Sequence, residues 1–282
     1  MRPRQSFKGY AVKRKLIFYT ASLFIIAMMI GLLMLITTSS MYRGGVQVYD
    51  NLLQHLSMVP QACPAPPTSA PHTPGEVAEA EGDQREVFIL PDHIVLPEVN
   101  FDALHEINPN VTAWLILPDT PINYPVVQGH DNAHYLHHLF DGTRSNVGTL
   151  FVDVYNPPGF TDRNTIIYGH NLQDGSMFAA LTEYESQDFF DANPWVFLLT
   201  PEGNYVIKLF AGYVTDVEGD SWRLWFDDDS AFEAWITERR SRSDFVSDVE
   251  IGPSDRIVTL STCSLAFYDA RYVVAGRLMP IG

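Results

Sequence analysis

The sequence predicts a mainly β fold: an eight-stranded closed β-barrel with a few helices, preceded by an N-terminal transmembrane helix. Three observations carry this expectation. Residues 16–38 are an apolar run without a single charge. Eight short segments rich in β-branched and aromatic residues follow, separated by turn signals. Only two stretches among them show helical spacing, which favours a barrel over a parallel α/β sheet. Closure would also hide the strand edges.

Taken in order, residues 1–15 form a basic tail. Arg2, Arg4, Lys8, Lys13, Arg14 and Lys15 all precede the first acid, Asp50. As a helix, the 23 residues of 16–38 would be about 34 Å long, enough for a hydrocarbon core of about 30 Å. The run exceeds the usual apolar core of a signal peptide and lacks a small-residue cleavage site, which predicts an uncleaved anchor. The basic flank places the N-terminus in the cytoplasm and everything beyond residue 39 outside, in a single-pass protein of the cell membrane. Residues 39–86 read as a juxtamembrane helix followed by a linker. Val46, Tyr49, Leu52, Leu53 and Leu56 recur at helical spacing, and a Pro/Ala-rich acidic spacer begins at Pro60.

Residues 87–282 form the expected folded domain. Its strands are predicted over 113–117, 123–127, 149–154, 164–168, 195–200, 205–214, 256–262 and 272–279, with a hairpin turn at 201–204. Helices are predicted over 176–183 and 230–240. The second presents Phe232, Trp235, Ile236 and Arg239 at i, i+3, i+4 and i+7, with Asp227, Asp228 and Asp229 at its positive end.

Charge excludes one class of partner. The formal net charge is −16, and the basic N-terminal tail makes the remainder more acidic still. Nucleic-acid binding needs clustered Lys and Arg, which this body lacks. The two cysteines, Cys63 and Cys263, allow one disulfide in an oxidising compartment. Cys63 stands in the spacer, however, which argues against a fixed partner in the core.

The C-terminal hairpin carries the first candidate chemistry. A β-branched strand ends at Cys263, and Arg271 opens the next one. Pairing of the two would set sulfur and guanidinium at the same end of the sheet, on neighbouring strands whose spacing is about 4.8 Å. Alternation places Thr259, Ser261 and Cys263 on one face. A thiol at a strand end beside a cation is a nucleophile candidate, although a lone Cys there is more often inert. His170 ends another strand and enters a Gly-flanked loop, the position from which a side chain reaches a cleft.

Together these segments resemble a known family. Thr259-Leu-Ser-Thr-Cys263 with Arg271, Ile166-Ile-Tyr-Gly-His-Asn-Leu-Gln-Asp-Gly-Ser-Met-Phe178, and Ile122-Asn-Tyr-Pro-Val-Val-Gln128 with Asp131, Asn132, Tyr135 and Leu136 are similar to class B sortases. The resemblance covers residues 101–280. It implies a sortase-type barrel with Cys263 as nucleophile, His170 as acid/base and Arg271 as the conserved cation. Ser261 and Asn123 match substrate-binding positions. It further implies a cysteine transpeptidase. Such an enzyme cleaves a sorting motif in secreted proteins and joins the new carboxyl end to a peptidoglycan precursor amine, with no cofactor and no metal.

The remaining clusters read as structural. His130, His134 and His138, with His137 adjacent, have a spacing that could grip a metal, but Tyr135, Leu136 and Leu139 between them indicate packing. Asp227 to Asp229 lack calcium-loop spacing and suit a helix cap. Trp195, Trp222, Trp225 and Trp235 suit core and groove wall. Rival functions are a hydrolytic cysteine peptidase, a pilin-polymerising sortase and a non-catalytic surface module. An amine acceptor separates the first from a transpeptidase, and thiol alkylation of Cys263 separates the last.

Overall fold

Buried runs of Val, Ile, Leu and aromatic residues form the frame of the barrel body, because β-branched and aromatic side chains pack well on a pleated surface. In the computed structural model, residues 7–57, 86–91, 93–264 and 269–282 are described. The elements in chain order are α1 (Phe7–Leu52), β1 (Leu56–Ser57), β2 (Glu98–Val99), α2 (Phe101–Ile107), β3 (Val111–Ile116), β4 (Asn123–Val127), β5 (Leu150–Val152), β6 (Asn164–Tyr168), α3 (Gln187–Ala192), β7 (Trp195–Thr200), β8 (Gly203–Thr215), α4 (Asp229–Arg242), β9 (Arg256–Cys263) and β10 (Arg271–Pro280).

β3 to β10 close into a barrel in the order β10-β8-β7-β3-β4-β5-β6-β9. All eight predicted strands are present, with ends within two residues of expectation. Two parallel pairings, β4 with β5 and β6 with β9, join antiparallel neighbours. The turn at 201–204 closes the β7–β8 hairpin, with Thr200 opposite Gly203.

The helices depart further from expectation. The stretch predicted at 176–183 is a 3-10 turn over Ala179–Glu185. α4 forms as expected and lies against one face of the barrel wall. Its Phe232, Trp235 and Ile236 pack with Phe210, Tyr213, Ile257, Val273 and Ala275. Val258, Leu260 and Val274, of the opposite parity, are fully buried, and by alternation they fill the barrel interior. α1 is one continuous helix through the predicted anchor and juxtamembrane stretch. Among the described residues no helix is long and apolar enough to cross a membrane.

Val48 to Gly282 form one compact unit, and the part of α1 up to Gln47 is another. The larger unit thus takes in Tyr49 and Leu52, both buried, and the β1–β2 ribbon, in which Leu56 pairs with Val99. The Pro/Ala-rich spacer with Cys63 lies outside the described residues.

Candidate active site

Three neighbouring strands carry the three expected side chains to one end of the barrel. β9 and β10 are antiparallel with Cys263 directly opposite Arg271. Directly opposed residues project to the same face, with Cα atoms about 4.5–5.5 Å apart. β6 and β9 are parallel, with Tyr168 opposite Ser261, and Gly169 N–H extends this ladder to Ser261 O at 3.1 Å. Two residues beyond that pair on each strand stand His170 and Cys263. The strand order β6-β9-β10 therefore sets the cysteine between the histidine and the arginine.

By alternation the face that carries Cys263 also carries Ser261, Thr259 and Ile257, so it is the α4-side face of the wall. A cavity of about 350 Å³ opens there, lined by Asn132, Leu136, Phe151, Tyr168, Gly169, His170, Val217, Trp222, Ser261, Thr262, Cys263 and Arg271. Its size lies at the lower end of ordinary ligand sites. Cys263 is a free thiol and is exposed.

His170 is held on one edge. Its Nε2 lies 2.8 Å from Leu136 O. A carbonyl can only accept, so Nε2 carries a proton and Nδ1 is the nitrogen open to exchange. Gly148 crowds the same edge: a Cβ there would lie 2.9 Å from His170 Cδ2. The main chain is fixed too, because His170 O accepts from Phe178 N–H at 2.8 Å. On the cysteine side, Asn171 Nδ2 donates to Cys263 O at 3.0 Å.

Arg271 donates to Ala270 O at 3.1 Å and, among the described residues, enters no salt bridge. Tyr168 borders the cavity and donates to Asp153 Oδ2 at 2.9 Å, an acceptor it shares with Asn132 Nδ2. Burial and that carboxylate push the Tyr168 phenol well above its ordinary range, while the Arg271 charge acts in the opposite direction.

Ser261 Oγ, at the cavity wall, is buried without a hydrogen-bond partner among the described residues. Such a hydroxyl is costly to leave empty-handed and is suited to a ligand. Asn123 does not line the cavity. It opens β4, two strands from β6, and its Oδ1 accepts Trp114 Nε1–H at 2.6 Å. The histidines at 134 and 138 stack at 4.0 Å, with His138 Nδ1 on His134 O. No group of three metal-ligating side chains occurs among the described residues.

Sequence reasoning assigned Trp222 to core and groove wall but missed the other parts that border these residues. Trp222 and Val217 come from the long β8–α4 connection. Asn164 Nδ2 donates to Ser221 O and Arg223 O, at 3.3 and 3.0 Å, and so holds the Trp222 turn over the groove. Asn132 and Leu136 were legible only as motif neighbours, and a backbone acceptor such as Leu136 O has no sequence signal.

Comparison with known proteins follows the geometry. The family model described as the sortase domain matches residues 115–279. Sortase B of Listeria monocytogenes is 37% identical over 178 residues, covering 62% of this chain and 72% of that protein. A Staphylococcus aureus sortase B–substrate complex superposes with a TM-score of 0.62 at 32% identity, covering 64% of this chain and 85% of that one. Clostridium perfringens sortase B gives a TM-score of 0.61 at 34% identity, covering 64% and 99% respectively.

Proposed function

The chain belongs to the sortase family, in its class B, and from that premise we propose that it cleaves a C-terminal sorting signal of secreted proteins through a thioacyl bond to Cys263 and joins the new carboxyl end to an amine of a peptidoglycan precursor. One observation carries the assignment of roles: the ladder order of β6, β9 and β10 sets an exposed sulfur between an imidazole and a guanidinium on one face.

The chemistry divides amide exchange into two easier steps. The Cys263 thiol passes its proton to His170 Nδ1, and the resulting thiolate attacks the scissile carbonyl carbon. The tetrahedral adduct collapses as the C–N bond breaks, and His170 Nδ1 gives its proton to the departing amine. The incoming amine then attacks the thioester and loses a proton to Nδ1, and the C–S bond breaks to release the thiolate, which takes that proton back from Nδ1. Positioned proton transfer of this kind contributes about 10²–10⁴-fold. Arg271 stays charged at any working pH, so it serves as the donor to the developing oxyanion and not as a base. Ser261 Oγ, buried at the cavity wall, offers the bound peptide a hydroxyl. The Staphylococcus aureus relative, solved as a substrate complex, supports the peptide-binding part of this reading.

The localisation belongs to the same proposal. Ten apolar side chains between Leu23 and Met34 are each more than half exposed on α1. Together with the uncharged run 16–38 and its basic flank, they support a single-pass anchor with the N-terminus cytoplasmic and the catalytic domain outside.

The test uses the full chain in detergent with a sorting-motif peptide and an amine acceptor. The wild type is expected to give the joined product and a thioacyl adduct on Cys263 by mass spectrometry. Cys263→Ala is expected to give neither. Full turnover by that variant, or hydrolysed peptide alone in the presence of excess amine, removes the proposal.

A further inference from the structure

We propose that Tyr49, near the C-terminal end of α1, is a positioning residue for His170, so that the end of the N-terminal helix is part of the catalytic machinery. The inference rests on the role assigned to His170 above. Tyr49 stands 121 positions before that histidine in the chain, yet it reaches the histidine's loop by two routes.

The first route runs through Gly148. Tyr49 is 7% exposed, and its hydroxyl donates to Gly148 O at 2.5 Å and lies 3.0 Å from Thr149 Oγ1. Gly148 adopts φ +67° and has no room for a side chain: a Cβ would meet Tyr135 O at 2.7 Å and His170 Cδ2 at 2.9 Å. The Gly148 backbone is therefore the surface on which the imidazole edge rests. Thr149 N–H donates to Tyr135 O at 2.9 Å, which ties this surface to the turn whose Leu136 O accepts the His170 Nε2 proton. Both contacts that fix the imidazole thus belong to one short assembly, and Tyr49 bonds it from beneath.

The second route runs through Tyr124. The Tyr49 and Tyr124 rings meet edge to face at 5.2 Å. Tyr124 Oη accepts Met177 N–H at 3.4 Å, and Met177 pairs with Asn171, the neighbour of His170. One buried phenol supports both sides of the loop that presents the general acid.

The physical consequence follows from the demands of proton transfer. A general acid must stay within hydrogen-bond reach of the reacting nitrogen and in one tautomer. The Leu136 carbonyl selects the Nε2–H tautomer, and displacement of that carbonyl or of Gly148 frees the ring to turn. The Tyr49 hydroxyl remains a donor at every working pH, since burial raises its phenol far above the ordinary range.

The experiment compares the full chain with its Tyr49→Phe variant, which keeps the ring and removes the donor. Three quantities are read: kcat and KM for peptide–amine joining, the imidazole nitrogen resonances of His170, and the melting temperature. The expected result is a fall in kcat of about tenfold, a fraction of what positioned proton transfer contributes, with KM essentially unchanged. The His170 signals are expected to move from a single Nε2–H tautomer toward a mixture. Unchanged kcat with unmoved resonances overturns the proposal. So does a kcat loss that follows a lowered melting temperature while the His170 resonances stay in place, because that pattern marks a structural role alone. If the wild type itself joins nothing, the transpeptidation reading fails by its own arm, and the His170 resonances still decide whether Tyr49 positions the imidazole.

Discussion

Space, as much as chemistry, fixes the residues around the sulfur. Gly169 stands between Tyr168 and His170, where its N–H continues the β6–β9 ladder to Ser261 O. Nothing in its torsion demands glycine, but its surroundings do. A Cβ there would lie 2.4 Å from Leu150 Cδ2 and 2.7 Å from Phe178 Cδ2. Leu150 and Phe178 are fully buried, so neither can swing away without opening the wall. Gly169→Ala is expected to lower stability by about 1–3 kcal/mol, the usual cost of overpacking a closed core. A urea unfolding curve measures this as a lower midpoint. Activity is expected to fall by more than the folded fraction accounts for, because the next residue is His170. An unchanged midpoint would mean that the two side chains yield far more easily than their burial implies.

α4 and the turn before it behave as a separate device that shapes the groove. The helix is capped by Asp228, whose Oδ1 accepts Ala231 N–H at 2.8 Å, and it ends among Arg239, Arg240 and Arg242, as its dipole favours. Trp235 Nε1 donates to Asp220 O at 2.9 Å, and Arg239 lies over the Trp235 ring at 4.4 Å. The helix therefore grips the turn that places Trp222 beside Cys263. Asp228→Ala is expected to cost about 1 kcal/mol, read as a lower denaturant midpoint with an unchanged slope. This helix was legible in the sequence because a four-residue buried stripe and three consecutive acids coincide. α2 and α3, of seven and six residues, are too short to show a period, although Asn100 Oδ1 caps α2 through Ala103 N–H. The stripe holding Tyr49 and Leu52 was visible too, but not the barrel surface that receives it. Strand positions were readable from buried β-branched runs. The parallel β6–β9 pairing that brings His170 and Cys263 to one end was not, since neighbours across a crossover leave no local mark. The Cys263–Arg271 pairing was readable, because a hairpin joins adjacent segments.

Four tyrosines spread over the barrel body share one electrostatic condition, and it predicts how the molecule fails in alkali. Tyr49 and Tyr184 are raised above the ordinary phenol range chiefly by burial. Tyr272 is buried and Tyr168 half-buried, and each donates to a carboxylate, Asp244 and Asp153 respectively, which opposes a second negative charge. An unfolded tyrosine ionises near pH 10. Each of these groups keeps its proton to a higher pH when folded, so its contribution is whole below about pH 10 and is lost as the pH rises through the folded value. Between those limits the unfolded state releases protons that the native state retains, and stability falls by about 1.4 kcal/mol per pH unit for each such phenol. Four groups spread over β6, β10, the 3-10 turn at Ala179–Glu185 and the end of α1 act on one cooperative body. The melting temperature is therefore expected to drop steeply above about pH 10. Much of the tyrosinate absorbance is expected to rise in one step with unfolding. A single smooth titration near pH 10 with the barrel still folded would show that these hydroxyls are open to water, and the account of Tyr49 and Tyr168 as fixed donors would fall with it.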